Sequence, residues 1–271
     1  MAEVEWARLK AHELRELATQ DSVVILPVAS IEQHGPQLPV MTDTRIGHEV
    51  AVRAARRAYE KRPTLVTPVV WHGLSEHHMP FGGTLILSHE TFRLVLRDLV
   101  TSLSRHGFRD ILISNSHGGN IMAMQQFCDE YAPQLDVTLV ATTYAYEAAA
   151  AIDELLEDQD SLQHACEGET SAMMALEPDL VDTAHLSEIG TMADLKFLSA
   201  GRHSYRWRPF VHQTGDGVAG KPASASAAKG EAILEVSADA LAAMIVDPAT
   251  WAPPGDRRGE GTAGIPFRDR R

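Results

Sequence analysis

Short apolar runs recur along the chain and are separated by longer stretches in which apolar and polar residues alternate with a helical period. The runs are rich in β-branched residues and bounded by turn residues, which is typical of buried strands. Strands are predicted on this basis at 23–28, 65–70, 110–114 and 137–142.

The intervening stretches place apolar residues three or four positions apart, which predicts amphipathic helices. Ser88 is a suitable N-cap for one of them, whose buried stripe is predicted to be Phe92, Val95, Leu96, Leu99 and Leu103. The other helices are predicted at 44–60, 121–131, 144–156, 172–176 and 225–244. Such a strand–helix succession favours a parallel sheet covered on both faces. We therefore expect an α/β fold, a single-domain three-layer α/β/α structure with a mostly parallel central sheet.

The end of the chain departs from this pattern. Residues 199–226 hold few periodic apolar positions and many polar, Gly and Pro residues, so we expect them to cover a pocket or contact a neighbouring subunit. His203, Tyr205, Trp207 and His212 are the possible contacts in this segment. We assign residues 1–252 to one domain and expect 253–271 to be a disordered tail.

Metal-binding side chains follow the first predicted strand. Glu32 and His34 are two residues apart, so in an extended chain they point the same way. Pro36 and Pro39 stiffen the turn that could return Asp43 to the same point. Two carboxylates and an imidazole suit a divalent metal, although solvated loop residues remain the alternative.

A second group follows the predicted strand at 110–114. His117 comes directly after it, and Gly118 and Gly119 allow close backbone approach before a helix begins. The carboxyl ends of parallel strands are where open α/β sheets bind ligands. A phosphate-cradling loop, or a tight turn with an incidental histidine, are the other interpretations.

A third group, His164, Glu167 and Glu169, lies at the head of a predicted helix, where carboxylates could instead serve as capping residues. Cys166 within it is interpreted as a small buried residue in preference to a ligand or nucleophile, and Cys128 as a core residue. His77 and His78 lie in a turn-rich segment that we interpret as a pocket wall or lid.

Together these motifs resemble the creatininase (creatinine amidohydrolase) family. They read Leu-Pro-Val-x-Ser-x-Glu-Gln-His-Gly-Pro-x-Leu-Pro-x-x-Thr-Asp at 26–43, Asn-x-His-Gly-Gly-Asn at 115–120 and His-Ala-x-Glu-x-Glu-Thr-Ser at 164–171. The likeness runs over about residues 23–222. Relatives of this kind hydrolyse different C–N bonds, including those of cyclic amides, formamides and peptides.

The resemblance implies two divalent metal ions per chain, Zn, Mn or Fe(II). Glu32, Asp43 and His117 would hold one ion, while His34 and Asp43 would hold the other, with Asp43 bridging. In creatininase proper a glutamate two residues after the strand-end histidine completes the second site, but this chain has Gly119 and follows the Gly-Gly-Asn branch. Glu169 is the expected replacement and Glu167 the second candidate.

The resemblance also implies roles around the metals. His164 would lie near the substrate and shuttle a proton, and Glu169 is the other expected catalytic residue. His77, Ser116, Gly118 and Glu167 are expected to bind substrate. The tryptophan that creatininase carries just before this histidine has no counterpart in residues 158–163, which argues against creatinine itself as substrate.

Composition and charge limit the kinds of binding partner and the cellular location that we expect. The formal net charge of −13 over 271 residues disfavours nucleic-acid binding, and no apolar run approaches the ~20 residues that span a bilayer. Two cysteines make no disulfide framework, and the charged N-terminus lacks a signal-peptide core, so we expect a cytoplasmic protein. A homo-oligomer, with a hexamer favoured, is implied by the resemblance.

Three functions remain open at this point. The first is a metal-dependent amidohydrolase that cleaves a C–N bond of a small cyclic amide, formamide or related small molecule through a metal-activated water. The second is a peptidase that trims a modified peptide in cofactor maturation. The third is a non-catalytic metal-binding oligomeric scaffold.

Overall fold

The computed structural model describes residues 2–190 and 206–253. Its central sheet has the order β2-β1-β3-β4, and every neighbouring pair is parallel. The strands are β1 (Val23–Val28), β2 (Thr64–Val66), β3 (Asp110–Asn115) and β4 (Thr138–Thr143). The predicted parallel α/β architecture is therefore confirmed. The expected tail beyond residue 253 lies outside the described residues.

The second strand is shorter than its apolar run predicts. It ends at Val66, and Pro68 follows two residues later without a backbone N–H to donate to the ladder. Pairing resumes at Val70, whose N–H donates to the carbonyl of Pro27 at 3.0 Å or less, in an isolated bridge beside β1. The run from 65 to 70 is thus one strand interrupted by a proline.

Helices cover both faces of the sheet. The bounds are α1 (Ala11–Leu17), α2 (Thr42–Ala58), α3 (His89–Arg105), α4 (Ile121–Tyr131), α5 (Tyr144–Glu147), α6 (Ala149–Asp153), α7 (Glu167–Leu176), α8 (Ala227–Val246) and α9 (Pro248–Trp251). The single helix predicted over 144–156 is instead two, because the backbone of Ala148 leaves the helical region with φ −100° and ψ 9°. No helix of residues 2–190 and 206–253 has the length and apolarity needed to cross a membrane.

Alternate residues of the strands supply two separate cores. On one face Val23 and Ile25 of β1 pack with α2 and α8. On the other face Val24 and Leu26 pack with α3 and α4. The sheet is therefore buried on both sides, which explains why its strands read as continuous apolar runs.

The buried stripe of α3 differs from the prediction in its second half. Phe92, Leu96 and Leu103 are buried as expected, whereas Leu99 is 39% exposed and Val100 is buried in its place. The stripe drifts because a straight helix advances 3.6 residues per turn, so that steps of four must be corrected by a step of three.

Candidate metal centre

The three motifs meet at the carboxyl edge of the sheet. β1 and β3 are neighbours and end at Val28 and Asn115, so the segments that follow them emerge side by side. The N-terminus of α7 approaches the same edge and packs against α2 and α8. Parallel pairing thereby brings together side chains that lie more than 130 residues apart in sequence.

The first group of potential ligand atoms belongs to Glu32, Asp43 and His117. The Nδ1 atom of His117 lies 3.0 Å from Glu32 Oε2 and 3.2 Å from Asp43 Oδ2. On the other side of the ring, Nε2 lies 3.3 Å from the carbonyl oxygen of Leu74. A proton on Nε2 can be donated to this carbonyl, which leaves the Nδ1 lone pair directed at the carboxylates.

The second group belongs to His34, Asp43 and Glu169. The Nε2 atom of His34 lies 3.2 Å from Asp43 Oδ1 and 3.6 Å from Glu169 Oε2. Its Nδ1 atom lies 3.2 Å from the backbone carbonyl of Glu32, which again orients the other nitrogen towards the carboxylates. Asp43 belongs to both groups and contributes one oxygen to each histidine.

Three of these atoms lack a hydrogen-bond partner although they are buried. They are Glu32 Oε1, His34 Nε2 and Asp43 Oδ2. Buried polar atoms are almost always paired, so orphaned atoms that converge on one place call for a ligand. Carboxylate oxygens and imidazole nitrogens held by carbonyls are the donor set of a divalent cation, and the residues therefore fit one.

The pKa values of the metal-free site also indicate a place for a bound cation. Burial alone would lower the pKa of His34, but the carboxylates of Asp43, Glu169 and Glu32 together outweigh it and raise that pKa to about 10. Burial likewise opposes protonation of His117, yet Glu32 and Asp43 together raise its pKa well above the usual value. Burial raises the pKa of Glu169 to about 7. Without a metal, protons on the two imidazoles offset the buried carboxylates.

Gly119 explains why the second group draws its carboxylate from α7. A Cβ at this position would lie 2.3 Å from the Leu74 carbonyl oxygen and 2.4 Å from His117 Nε2. No side chain fits there without displacing the histidine. Gly118, by contrast, would direct a Cβ into open space.

A cavity of about 180 Å³ opens beside the two groups. Ser116, Gly118 and His164 line it, together with Tyr144, Tyr146 and Leu162. His77 is half-buried next to the cavity, with its ring centroid 5.9 Å from that of His117, but does not line it. Substrate contact by Ser116, Gly118 and His77 stays a prediction.

Glu167 does not join the other predicted site residues, and its expected role in substrate or metal binding needs correction. It is fully buried, and its carboxylate accepts N–H bonds from Glu157 and Asp158 at 2.8–3.0 Å. Lys229 of α8 forms an ion pair with the same carboxylate. Glu167 therefore joins α7, α8 and the segment that leads to His164.

The sequence motifs give Gln33 and Phe210 no role in the site and indicate His78 only as part of a pocket wall or lid. Gln33, His78 and Phe210 surround His164: its ring centroid lies 4.4 Å from that of His78 and 5.2 Å from that of Phe210. His78 Nε2 lies 3.3 Å from Glu32 Oε1. The turn-rich segment that contains His77 and His78 is the signal that indicated His78.

Among the described residues 206–226 of this segment, the aromatic contact with the histidines is therefore Phe210. Trp207 and His212, which were expected there, are exposed, and His203 and Tyr205 lie outside the described residues. Phe210 is only 6% exposed and covers the histidines from one side.

The cysteines are not part of the site chemistry. Cys166 is buried and Cys128 half-buried, and burial raises the pKa of each thiol to about 11. Both groups are thus protonated and poorly nucleophilic near neutral pH. The interpretation of Cys166 as a small buried residue agrees with this environment.

Comparison with known proteins gives matches along nearly the whole chain. The creatininase family model, described as creatinine amidohydrolase, matches residues 7–245. A mycofactocin precursor peptide peptidase of Mycolicibacterium smegmatis is 32% identical over 247 residues, which cover 90% of this chain and 91% of the relative. A creatinine amidohydrolase of Pseudomonas putida is 30% identical over 198 residues, covering 67% of this chain and 73% of the relative. A deformylase of a ribosylaminopyrimidinone monophosphate from Methanobrevibacter smithii is 28% identical over 49% of this chain and 55% of its own.

Solved structures of creatininase have the same fold as this chain. A crystal structure of creatininase superposes with a TM-score of 0.76 at 27% identity, covering 94% of this chain and 100% of the other. A manganese form of creatininase gives 0.73 at 28% identity, and a zinc–zinc form of a mutant gives 0.74 at 28%. Each of these two covers 90% of this chain and 98% of its own. The chain is thus a hydrolase acting on C–N bonds.

It belongs to the creatininase family, as the motifs suggested. The family model covers residues 7–245, and the creatininase superposition covers 94% of this chain. The family match therefore includes the whole sheet and all three motif segments.

Replacing Lys229 with methionine is expected to destabilise the fold by about 3–5 kcal/mol, because it leaves the buried Glu167 carboxylate without its counter-ion. Urea unfolding measures the change. Lys10→Met is the matched control, since Lys10 pairs with Glu13 on the surface and its loss should leave stability nearly unchanged. Equal midpoints for Lys229→Met and wild type would show that the ion pair is not needed.

Metal binding at pH 7 is expected to release protons. The raised pKa of His34, about 10, means that its ring is protonated in the metal-free protein, whereas a metal ligand must be neutral. Apparent metal affinity should therefore rise as the pH is raised from 7 towards 10. Calorimetric titration in buffers of different ionisation enthalpy counts the protons, and a binding heat independent of the buffer would contradict the expectation.

Proposed function

We propose that this chain is a metal-dependent amidohydrolase that uses two divalent ions, Zn, Mn or Fe(II), to cleave a C–N bond in a small cyclic amide or formamide. The observation that carries the proposal is the sharing of Asp43 between two groups of ligand atoms. A carboxylate that offers one oxygen to each group is the arrangement a bridging ligand requires, and both groups consist of buried side chains.

Each group supplies three protein ligands in this proposal. Glu32, Asp43 and His117 hold one ion. His34, Asp43 and Glu169 hold the other, so that Glu169 takes the place of the carboxylate missing at residue 119. When bound, the ions would lower the pKa of a water molecule towards about 7 and polarise the amide carbonyl.

Glu169 is the group that we assign to proton transfer. Its carboxylate lines the cavity next to His34 and Asp43, where it could accept a proton from the attacking water and return it to the departing nitrogen. Its Oε2 atom is held by the backbone N–H of Ala165 at 2.6 Å. His164 lines the cavity beside it and is assigned to substrate contact. Burial lowers the pKa of His164 well below its usual value, which keeps the ring neutral.

A peptidase acting on a modified peptide is the second candidate. It is favoured by the 32% identity with a mycofactocin precursor peptide peptidase over 90% of this chain. The cavity is compatible with a chain-like substrate because Tyr146, which lines it, is 67% exposed and so lies at its open side. The scaffold hypothesis loses support because both groups of ligand atoms are complete.

We further propose a cytoplasmic homo-oligomer, with a hexamer favoured. Two free thiols suit a reducing compartment, and Trp71 and Leu85 leave more than half of their apolar side chains exposed, at 51% and 56%. Sedimentation equilibrium is expected to give a mass several times 29.6 kDa. A monomer at micromolar concentration would refute the assembly and leave the metal centre untouched.

Elemental analysis of protein purified without chelator is the test of the metal centre. Wild type is expected to carry about two ions per chain, Asp43→Ala to lose both, and Glu169→Gln to keep the ion held by Glu32, Asp43 and His117. Glu147→Gln is the matched control, because Glu147 lies near β4, bonds Thr142 and belongs to neither group.

The same preparations then enter a screen of cyclic amides, formamides and short peptides. Hydrolysis by wild type and Glu147→Gln, but not by Asp43→Ala, supports the proposal, and the class of substrate cleaved decides between the two candidates. Metal-free wild type that takes up no ion on titration would falsify the proposed mechanism.

A further inference from the structure

Gln33 lies in the sequence between Glu32 and His34, two of the proposed metal ligands. It is buried, with only 7% of the residue exposed. Its Oε1 atom accepts the backbone N–H of Gly35 at 2.9 Å. A backbone N–H can only donate, so this bond identifies which end of the amide is oxygen. The Nε2 atom is therefore the end that faces the histidines.

That nitrogen has two imidazole neighbours. It lies 2.7 Å from Nδ1 of His78 and 3.1 Å from Nε2 of His164, and it also donates to the Gly217 carbonyl at 3.1 Å. An amide NH₂ group donates and does not accept, so both ring nitrogens must present a lone pair to it. Its two hydrogens serve three acceptors, with the shortest bond to His78 and the other hydrogen shared between His164 and Gly217.

A neutral imidazole that accepts at one nitrogen carries its proton on the other. His78 accepts at Nδ1 and so bears its proton on Nε2. His164 accepts at Nε2 and so bears its proton on Nδ1. One amide group thus selects opposite tautomers in two rings whose centroids are 4.4 Å apart.

The two protonated nitrogens lie near the same oxygen. His78 Nε2 is 3.3 Å and His164 Nδ1 is 3.4 Å from Glu32 Oε1, but neither makes a hydrogen bond with it, and this oxygen stays without a partner. Phe210 packs on both rings, at 4.5 Å from His78 and 5.2 Å from His164, and closes the outer side. With these tautomers His164 offers no lone pair towards Glu32 and His34, the two residues with which it forms a third group of potential ligand atoms.

We infer that Gln33 is a positioning residue that locks His78 and His164 in opposite tautomers, so that each ring carries its proton on the nitrogen nearer Glu32 Oε1. His164 then has no free lone pair for a substrate proton, because Nε2 accepts from Gln33 and Nδ1 is protonated, which leaves proton transfer to Glu169. The tautomers stand on geometry alone, and only this catalytic consequence rests on the proposed function.

Nitrogen-15 NMR of protein labelled at histidine tests the tautomers directly, in both metal-free and zinc-loaded samples. Signals of the two rings are assigned from their absence in His78→Asn and His164→Asn. The expected result is a protonated Nε2 in His78 and a protonated Nδ1 in His164. The same tautomer in both rings would overturn the inference, whether or not zinc binds, so its failure is distinct from failure of the metal centre.

Gln33→Met then removes the amide while keeping the length of the side chain. We expect His164 to lose its fixed Nδ1–H tautomer in this variant. Gln37→Met is the matched control: Gln37 is also buried, donates to the Ala165 carbonyl at 2.8 Å and steadies the same segment without touching either ring. An equal change of tautomer in both variants would show that the position of the segment, and not Gln33, sets the proton.

Kinetics on the substrate identified by the screen separate positioning from folding. Gln33→Met is expected to lower kcat by roughly 10²-fold, the lower end of what one positioned hydrogen-bond donor contributes, with KM nearly unchanged. Gln37→Met should retain kcat. A Gln33→Met variant that keeps the wild-type kcat would show that the tautomers have no catalytic consequence.

Discussion

The placement of the Asp43 carboxylate is the constraint on which the rest of the site depends. Its two oxygens lie 3.2 Å from His34 Nε2 and 3.2 Å from His117 Nδ1, so a single side chain joins groups carried by two neighbouring strand ends. Asp43 occupies the first turn of α2, where the helix dipole favours a negative charge. Because α2 packs against α7, α8 and the sheet, the position of this carboxylate is set by the core of the domain.

The two glutamates at the N-terminus of α7 face different parts of the structure and have different roles. Residues two apart on a helix point to nearly opposite sides, since each residue turns the chain by about 100°. Glu169 consequently faces His34 and Asp43, while Glu167 faces Lys229 and the backbone at 157–158. One glutamate completes the proposed metal site, and the other holds the segment that carries His164. The two functions support each other because His164 reaches the cavity only if this segment is fixed.

The relatives of this chain act on different molecules, which fits the way the site is built. The ligand atoms come from strand ends and helix starts that belong to the fold, whereas the cavity wall is formed by Tyr146, Leu162 and the open position at Gly118. Side chains of that wall can change without disturbing the buried charges. A fold of this kind can therefore keep one hydrolytic centre and accept cyclic amides, formamides or peptides according to its loops.

The sequence by itself determined the parallel α/β class, most of the strand and helix positions, and the membership of Glu32, His34, Asp43, His117 and Glu169 in one region. These features depend on local sequence, because the periods of strands and helices can be recognised from neighbouring residues. Parallel pairing then places the ends of the strands at one edge of the sheet. The tertiary structure decided between the first candidate Glu169 and the second candidate Glu167, and it alone showed that Gln33, His78 and Phe210 surround His164. Those contacts join segments 45 to 131 residues apart, and their meeting depends on how the helices pack, which no local pattern encodes.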